Sequence, residues 1–443
     1  PPSIPFFGNL LWLLIKPFSC VKALFLSLHE RYGPIYTLYI GSKPLIVIAS
    51  HSLAHQALID NSVIFADRPQ AMAIDKFLSC DQHNISSAFY SLTWLRLCRN
   101  LTYNMLHTLR IKSFACARKW ALDALINHLK FHSSSYEYHH TKIREPIQYA
   151  LYYLFTFICF GKKLKDKKIQ DIKDLQRRLQ LSFDEFKDQK KLMVPLIKAR
   201  KAMREGKNEK DEPFLPYVDT LFDLQLKEEN RKLEEKKIVT LCSEFFIGGI
   251  DTTSTTLEWV MANLVKHPDL FKEIKGVVSD GEVEIKDEDL RKMTYLRAIT
   301  LESLRCHPPN HFLIPHTVTK DVVLGGFLVP KNSIVIFIVV EMGRNPNVWE
   351  NPMEFKPERF LNNGDFDISG TKEIKMMPFG VGKRMCPAYR LAMLHLKYSV
   401  ANLVWHFNFK CFGECVDLTE KHEFTAVMQN PLEVQIAPRL YVH

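Results

Sequence analysis

The stretch 378–387, PFGVGKRMCP, sets one cysteine behind two glycines and two cations and ahead of a long apolar run. A cysteine kept only for packing needs none of these neighbours. Gly380 and Gly382 allow backbone paths closed to other residues and close approach of a ligand to the main chain. The residues after Cys386 read as a helix over about 388–406, with Pro387 suited to its first turn. Unpaired N–H groups and the positive end of a helix dipole stabilise a thiolate there. The helix is apolar on most faces, so the cysteine is expected deep, where a free thiolate is costly and a metal on the sulfur removes the cost. A lone thiolate without His or Cys partners suits haem iron better than zinc. Arg384 would then pair with a haem propionate. A buried structural cysteine is the competing reading of the same residues.

The second candidate for chemistry is FFIGGIDTTSTT, 245–256, inside one long helical pattern, 235–266, closed by Pro268. Gly248 and Gly249 each cost about 1 kcal/mol relative to alanine in a helix interior. Propensity therefore gives no reason for them, whereas a flat ligand lying against the backbone does. Thr252 can turn its hydroxyl to the carbonyl four residues back and loosen the helix locally. Asp251 is an acid on an apolar stretch. By themselves an aspartate and a threonine in a helix read as structural. Glu302 and Arg305, three apart on a helical pattern at 294–306, are side-chain neighbours.

The elements that must position these groups read as mainly α with a minor β region, in one domain over 1–443. Residues 35–40 and 45–49 are two β runs joined through Gly41 and Pro44, a hairpin signal. From about 52 to 270 the chain is mainly helical, with a polar break at 132–142 and a charged, flexible stretch at 203–213. Short β runs follow at 322–329 and 334–340, then a loop region to 385. Of the 443 residues, 47% are hydrophobic, enough for a large core, and the 30 phenylalanines make it a thick one. The net charge of +10 suits an acidic protein partner, an anionic membrane surface or simply a solvated face. Nucleic acid fits poorly, because the Lys/Arg runs at 161–168 and 187–207 are interleaved with Asp and Glu.

Ten cysteines without a CxxC pair or zinc spacing read as reduced and intracellular. Two sequons, at Asn84 and Asn100, matter only if that face meets a lumen. The opening PPSIPFFGNL reads as a stiff hinge over 1–9, behind an N-terminal membrane anchor that precedes residue 1.

Phe379-x-x-Gly382-x-Arg384-x-Cys386 matches the cysteine-loop signature of the cytochrome P450 family. FADRP (65–69), GGIDTT (248–253), ESLR (302–305), HPPNHFLIPHTVTKD (307–321) and PERF (357–360) follow that family's order and spacing. The sequence resembles the family over nearly its whole length, and most nearly its plant microsomal A-type group. The resemblance implies the cytochrome P450 fold, a triangular helical prism around a buried haem b (iron protoporphyrin IX). It implies Cys386 as the axial ligand of the haem iron. Arg384, His316, Trp94, Phe379, Gly380, Gly248 and Gly249 would bind the cofactor. Asp251 and Thr252 would relay protons to dioxygen. Arg359 would join Glu302 and Arg305 in a buried ion network that supports the cysteine loop. It further implies a monomeric monooxygenase on the endoplasmic reticulum membrane, its catalytic domain facing the cytosol. NADPH-cytochrome P450 reductase would dock on the basic face near Lys383, and the substrates would be O2 and a small lipophilic molecule.

The sequence departs from the family pattern in three places. Cys98 stands four after Trp94, where the family places a propionate-binding arginine, and Arg96 and Arg99 point elsewhere on the helix. Ala388 replaces a usual glycine, and 162–216 is short for the substrate roof. These raise the alternative of a drifted, weakly active or non-catalytic haem-binding member. A rearrangement enzyme using a peroxide substrate is disfavoured by the Asp251–Thr252 pair. The stretches expected to line the pocket, 71–92, 172–200 and 310–315, are apolar or mixed and specify no functional group.

Overall fold

The computed structural model describes residues 1, 8–9, 21–71, 80–131, 139–181, 186–206, 214–226, 231–275, 284–361, 366–413 and 416–439. Parts of the hinge, of the 71–92 and 172–200 stretches, of the polar break and of the charged stretch at 203–213 lie outside these residues. The described residues are mostly helical with several small sheets. They fall into two compact units: Pro1–Gln70, Ala298–Cys386 and Thr419–Val427 in the first, Ala71–Arg297, Pro387–Leu418 and Met428–His443 in the second.

The first unit is organised by a four-stranded sheet. Ile35–Ile40 and Lys43–Ile48 form an antiparallel hairpin with Ile35 opposite Ile48, and Gly41 supplies the positive φ of 61° that the tight turn needs. Lys43–Ile48 pairs in parallel with Ile334–Phe337, which pairs antiparallel with the edge strand His316–Thr317. The central strands are β-branched and bury both faces; Val47, Ile48, Val335 and Phe337 are fully enclosed. The β run expected over 334–340 ends at Phe337, and Val339–Arg344 is a short helix.

In this unit the expected ion network is present. Arg305 donates from Nε and Nη2 to the two Glu302 oxygens, both at 2.7 Å, and both side chains are 0% exposed. Arg359 Nε reaches Glu302 Oε1 at 3.4 Å, and the Lys356 N–H donates to the same oxygen at 2.8 Å. Arg305 Nη1 also donates to the carbonyls of Gly343 and Pro352. Both Glu302 oxygens and all three Arg305 nitrogens are engaged, so removing either partner would leave a buried charge, at about 3–5 kcal/mol.

The second unit is a helical bundle. Its axis is Glu235–Lys266, 32 residues long and buried over most of its length, as the pattern at 235–266 predicts. Arg144–Phe160 packs on it and on Ala115–Phe131, and Tyr389–His406 packs on it as well. The Arg144–Phe160 helix reads apolar on nearly every face because it is enclosed on nearly every face. Glu433–Pro438 pairs with Phe407–Cys411 on one side and His139–Lys142 on the other. Both sequon asparagines are buried here: Asn84 accepts from the Ser87 N–H, and Asn100 donates to Thr220 Oγ1. Neither can carry a glycan in the folded chain. Among the described residues no helix is long and apolar enough to cross a membrane.

Candidate functional site

In the first unit the cysteine loop is held by its own backbone. Gly380 N–H donates to Met377 O at 3.0 Å, Met385 N–H to Gly382 O at 3.2 Å, and Cys386 N–H to Phe379 O at 2.8 Å. Phe379 thus fixes the cysteine through its carbonyl. Gly380 and Gly382 both have positive φ, 65° and 71°. A Cβ at Gly382 would lie 2.0 Å from Leu58 O, so the loop is pressed against the π-helical turn Gln56–Asp60 at a spacing only glycine permits. Cys386 is half-buried. The following helix begins at Tyr389 with Ala388 as its N-cap. Pro387 therefore precedes the helix instead of opening its first turn.

The segment Phe65–Arg68 ties the predicted cofactor residues together. The His316 ring shares a 2.6 Å hydrogen bond, through Nδ1, with Phe65 O. Arg384 Nε donates to Ala66 O at 2.6 Å. The Thr317 N–H donates to Asp67 O at 2.9 Å. Arg68 Nη1 donates to the carbonyls of Ile314 and Pro315, at 2.7 and 3.0 Å. The sheet edge places His316, and the cysteine loop brings Arg384 to the same rail. Arg68 is the residue that sequence reasoning missed as a site group. Its signal was present in FADRP, where an arginine sits among residues that read as buried.

Arg68 is buried, and that burial, with Arg384 nearby, lowers its pKa to about 9. Burial and the same two guanidiniums lower His316 to about 3, so its ring is neutral. With Nδ1–H donating to Phe65, Nε2 carries the lone pair, and the ring can grip an anion only by taking up a proton. The buried Arg68 guanidinium and the half-buried Arg384 guanidinium make an anion-seeking pair beside a neutral imidazole. One sulfur and these cations match the chemistry of an iron macrocycle bearing two carboxylates.

In the second unit the centre of the long helix carries the other predicted groups. Thr252 Oγ1 donates to Gly248 O at 2.8 Å, the back-bond expected. Asp251 is buried and accepts from Gln148 Nε2 at 3.3 Å. The two glycines have different reasons. A Cβ at Gly248 would meet nothing within 4 Å, which leaves that turn of helix open for a flat ligand. At Gly249 the Cβ would lie 2.0 Å from the Phe155 ring. This glycine therefore lets Arg144–Phe160 pack closely on the long helix, a packing reason that the sequence did not show. Only the partner helix reveals this.

Trp94 is buried on Leu92–Asn104, and its indole N–H donates to Ile85 O at 3.0 Å. Cys98 is half-buried one turn on. Arg96 Nη1 donates to Gln225 O at 2.6 Å, and Arg99 is exposed, so each points away as expected. Sequence reasoning also missed Glu244. It lies four and eight residues before Gly248 and Thr252, on the same helix face. Its carboxylate accepts from the Ile85 N–H at 2.8 Å, the Ser86 N–H at 2.6 Å and Ser86 Oγ at 2.5 Å. Those bonds pin the loop that holds Trp94 to the helix.

The family profile "Cytochrome P450" matches residues 1–437. Over 483 aligned residues the chain is 42% identical to cytochrome P450 89A9 of Arabidopsis thaliana, with 99% of this chain and 93% of that protein covered. It is 29% identical to an isoflavone 2'-hydroxylase of Glycyrrhiza echinata, covering 99% of this chain and 91% of the relative. Among solved structures, a zebra fish cytochrome P450 with progesterone superimposes with a TM-score of 0.79 at 23% identity, covering 95% of this chain and 99% of that one, a likeness of fold.

Proposed function

From the premise that this chain belongs to the cytochrome P450 family and is a haem-thiolate monooxygenase using O2 and a redox partner, we propose its finer chemistry. It inserts one oxygen atom of O2 into a small lipophilic substrate. The electrons come from NADPH through NADPH-cytochrome P450 reductase, and the haem is haem b. The enzyme acts as a monomer on the endoplasmic reticulum membrane, facing the cytosol. When bound, the haem would supply the redox centre for O2 activation, made electron-rich by a thiolate ligand.

Cys386 is the group that would ligate the iron, and Gly380, Gly382 and the Phe379 carbonyl hold its loop in place. Arg68, Arg384 and His316 would hold the haem carboxylates, with His316 taking up a proton as it does so. Gly248 leaves room against the long helix. Asp251 and Thr252 move protons: the Thr252 hydroxyl, parked on the Gly248 carbonyl, can rotate to donate, and Asp251 can resupply it. Trp94 and the loop that Glu244 pins border that helix face. Exposed Lys383 offers a positive contact for the reductase. The lipophilic substrate class is supported by the isoflavone named in one relative's activity.

The observation that carries this reading is the backbone-locked Cys386 loop in a chain that matches the family over 1–437. Reconstitution with the reductase, NADPH and a panel of plant lipophilic metabolites tests it. The expected result is NADPH consumption coupled to a product heavier by one oxygen. Haem binding with no product from any reducible, substrate-shifted complex would overturn it. That outcome is what a second reading, a drifted haem-binding member, requires; Cys98 and the turned-away Arg96 favour that reading.

A further inference from the structure

His395 has no part in the chemistry described above. It lies midway along Tyr389–His406, 2% exposed, and neither ring nitrogen has a hydrogen-bond partner among the described residues. Its ring borders a small cavity of about 30 Å³ within the second unit, walled chiefly by aliphatic side chains such as Leu122 and Leu257. Arg118, on Ala115–Phe131, borders the same cavity and is also 2% exposed. Two of its nitrogens are committed: Nη1 donates to Ile111 O at 2.7 Å, and Nη2 to the Asp287 carboxylate. Arg118 Nε has no partner among the described residues. Tyr398, beside His395, is occupied by Glu284 Oε1 at 2.5 Å, and Ser399 adds a hydroxyl to the lining.

We propose that this cavity is a binding site for one ordered water molecule. The water accepts the Arg118 Nε–H and donates to a ring nitrogen of His395. A cavity needs roughly 10–15 Å³ of such space to hold a water, so this one suffices. The donor set also suits water. Arg118 Nε can only donate, and a neutral imidazole offers one accepting and one donating nitrogen, so a molecule that both accepts and donates satisfies either tautomer. Asp287 already balances the guanidinium, and a buried anion would add an uncompensated charge. Ser399 offers the third partner that buried waters typically have.

The site joins the helix that follows the cysteine loop to the bundle. His395 also packs edge-on against Phe155, centroids 5.9 Å apart at 86°, and Phe155 is the ring that requires Gly249. The bridge thus backs the contact on which the long helix rests.

Two measurements on the haem-loaded protein decide this. A high-resolution crystal structure is expected to show one density peak about 2.7–3.2 Å from both Arg118 Nε and a His395 nitrogen. No peak, or a direct Arg118–His395 contact, overturns the proposal. Urea unfolding is expected to give His395→Leu a folding constant about tenfold lower, equivalent to about 1.4 kcal/mol. His395→Gln, which keeps an acceptor, recovers most of that loss. An imidazole with nothing bound to it predicts the reverse, because removing an unpartnered buried polar group stabilises. Equal or higher stability of His395→Leu therefore rejects the bridge even where a crystal is lacking.

Discussion

The cysteine loop and the centre of the long helix solve opposite problems. Around Cys386 the backbone is closed: three main-chain hydrogen bonds stack within ten residues, and Gly382 is seated against a carbonyl. Around Gly248 the backbone is opened: a side-chain hydroxyl shares a carbonyl that belongs to the helix ladder, and no atom occupies the space a Cβ would take. Under the proposed function a ligand sulfur has to stay at one point, whereas a proton donor has to rotate. Rigidity comes from backbone contacts that no rotamer change can relieve, and adaptability from a side chain with an alternative partner.

The largest effect that would break this contrast is expected at the closed end. Cys386→Ser removes the sulfur and keeps the loop, so the red-shifted Soret band of the reduced carbon monoxide complex should vanish entirely. A mutant that keeps the wild-type band would place the ligand elsewhere. Thr252→Ala comes next. It leaves the fold intact but removes the rotating donor, so product per NADPH should fall by about tenfold or more, with hydrogen peroxide rising in its place. Unchanged coupling would show that the hydroxyl's only partner that matters is the Gly248 carbonyl.

A glycine pair sharpens the same comparison. Gly382→Ala meets a backbone carbonyl at 2.0 Å, and Gly249→Ala meets a phenyl ring at the same distance. The ring can move, so Gly249→Ala should cost about 1–3 kcal/mol in urea unfolding. The carbonyl cannot, and Gly382→Ala should lose more, together with haem loading. Equal costs would mean that the loop yields as readily as a side chain.

The smallest effect is electrostatic and lies behind the long helix. Burial, with Arg118 alongside, lowers His395 to about 3, and burial lowers His406 to about 4. Both stay neutral when folded, while the unfolded chain binds protons near pH 6.5. Their contribution to stability is complete above that pH and declines as pH falls, by about 1 kcal/mol each between 6.5 and 5.5. Urea midpoints at pH 7.5 and 5.5 should show this decline, and His395→Gln should shrink it. An unaltered decline would mean that His395 is already charged in the folded protein.

Local patterns were legible where one stretch of chain settles its own conformation. The long helix ends where Pro268 predicts, and the two β runs joined through Gly41 and Pro44 pair as a hairpin. The back-bond of Thr252 follows from a spacing of four. The Glu302–Arg305 pair follows from a spacing of three. Three residues gave only partial signals because each depends on something distant in sequence. Gly249 reads like Gly248 until Phe155, 94 residues earlier, is brought against it. Arg68 reads as one letter of FADRP until the sheet edge carries His316 to the same segment. Pro387 reads as a helix start, but the loop closed by Phe379 delays the helix to Tyr389. The sequence by itself determined the family, the element types and which side chains can ligate, donate or pair, since those follow from residue chemistry and short-range spacing. Tertiary structure decided which glycine serves packing and which leaves space, which cations share one rail, and which buried nitrogens lack partners. Those depend on atoms hundreds of residues apart arriving within a few ångströms, a distance at which sterics and hydrogen bonding, not propensity, set the outcome.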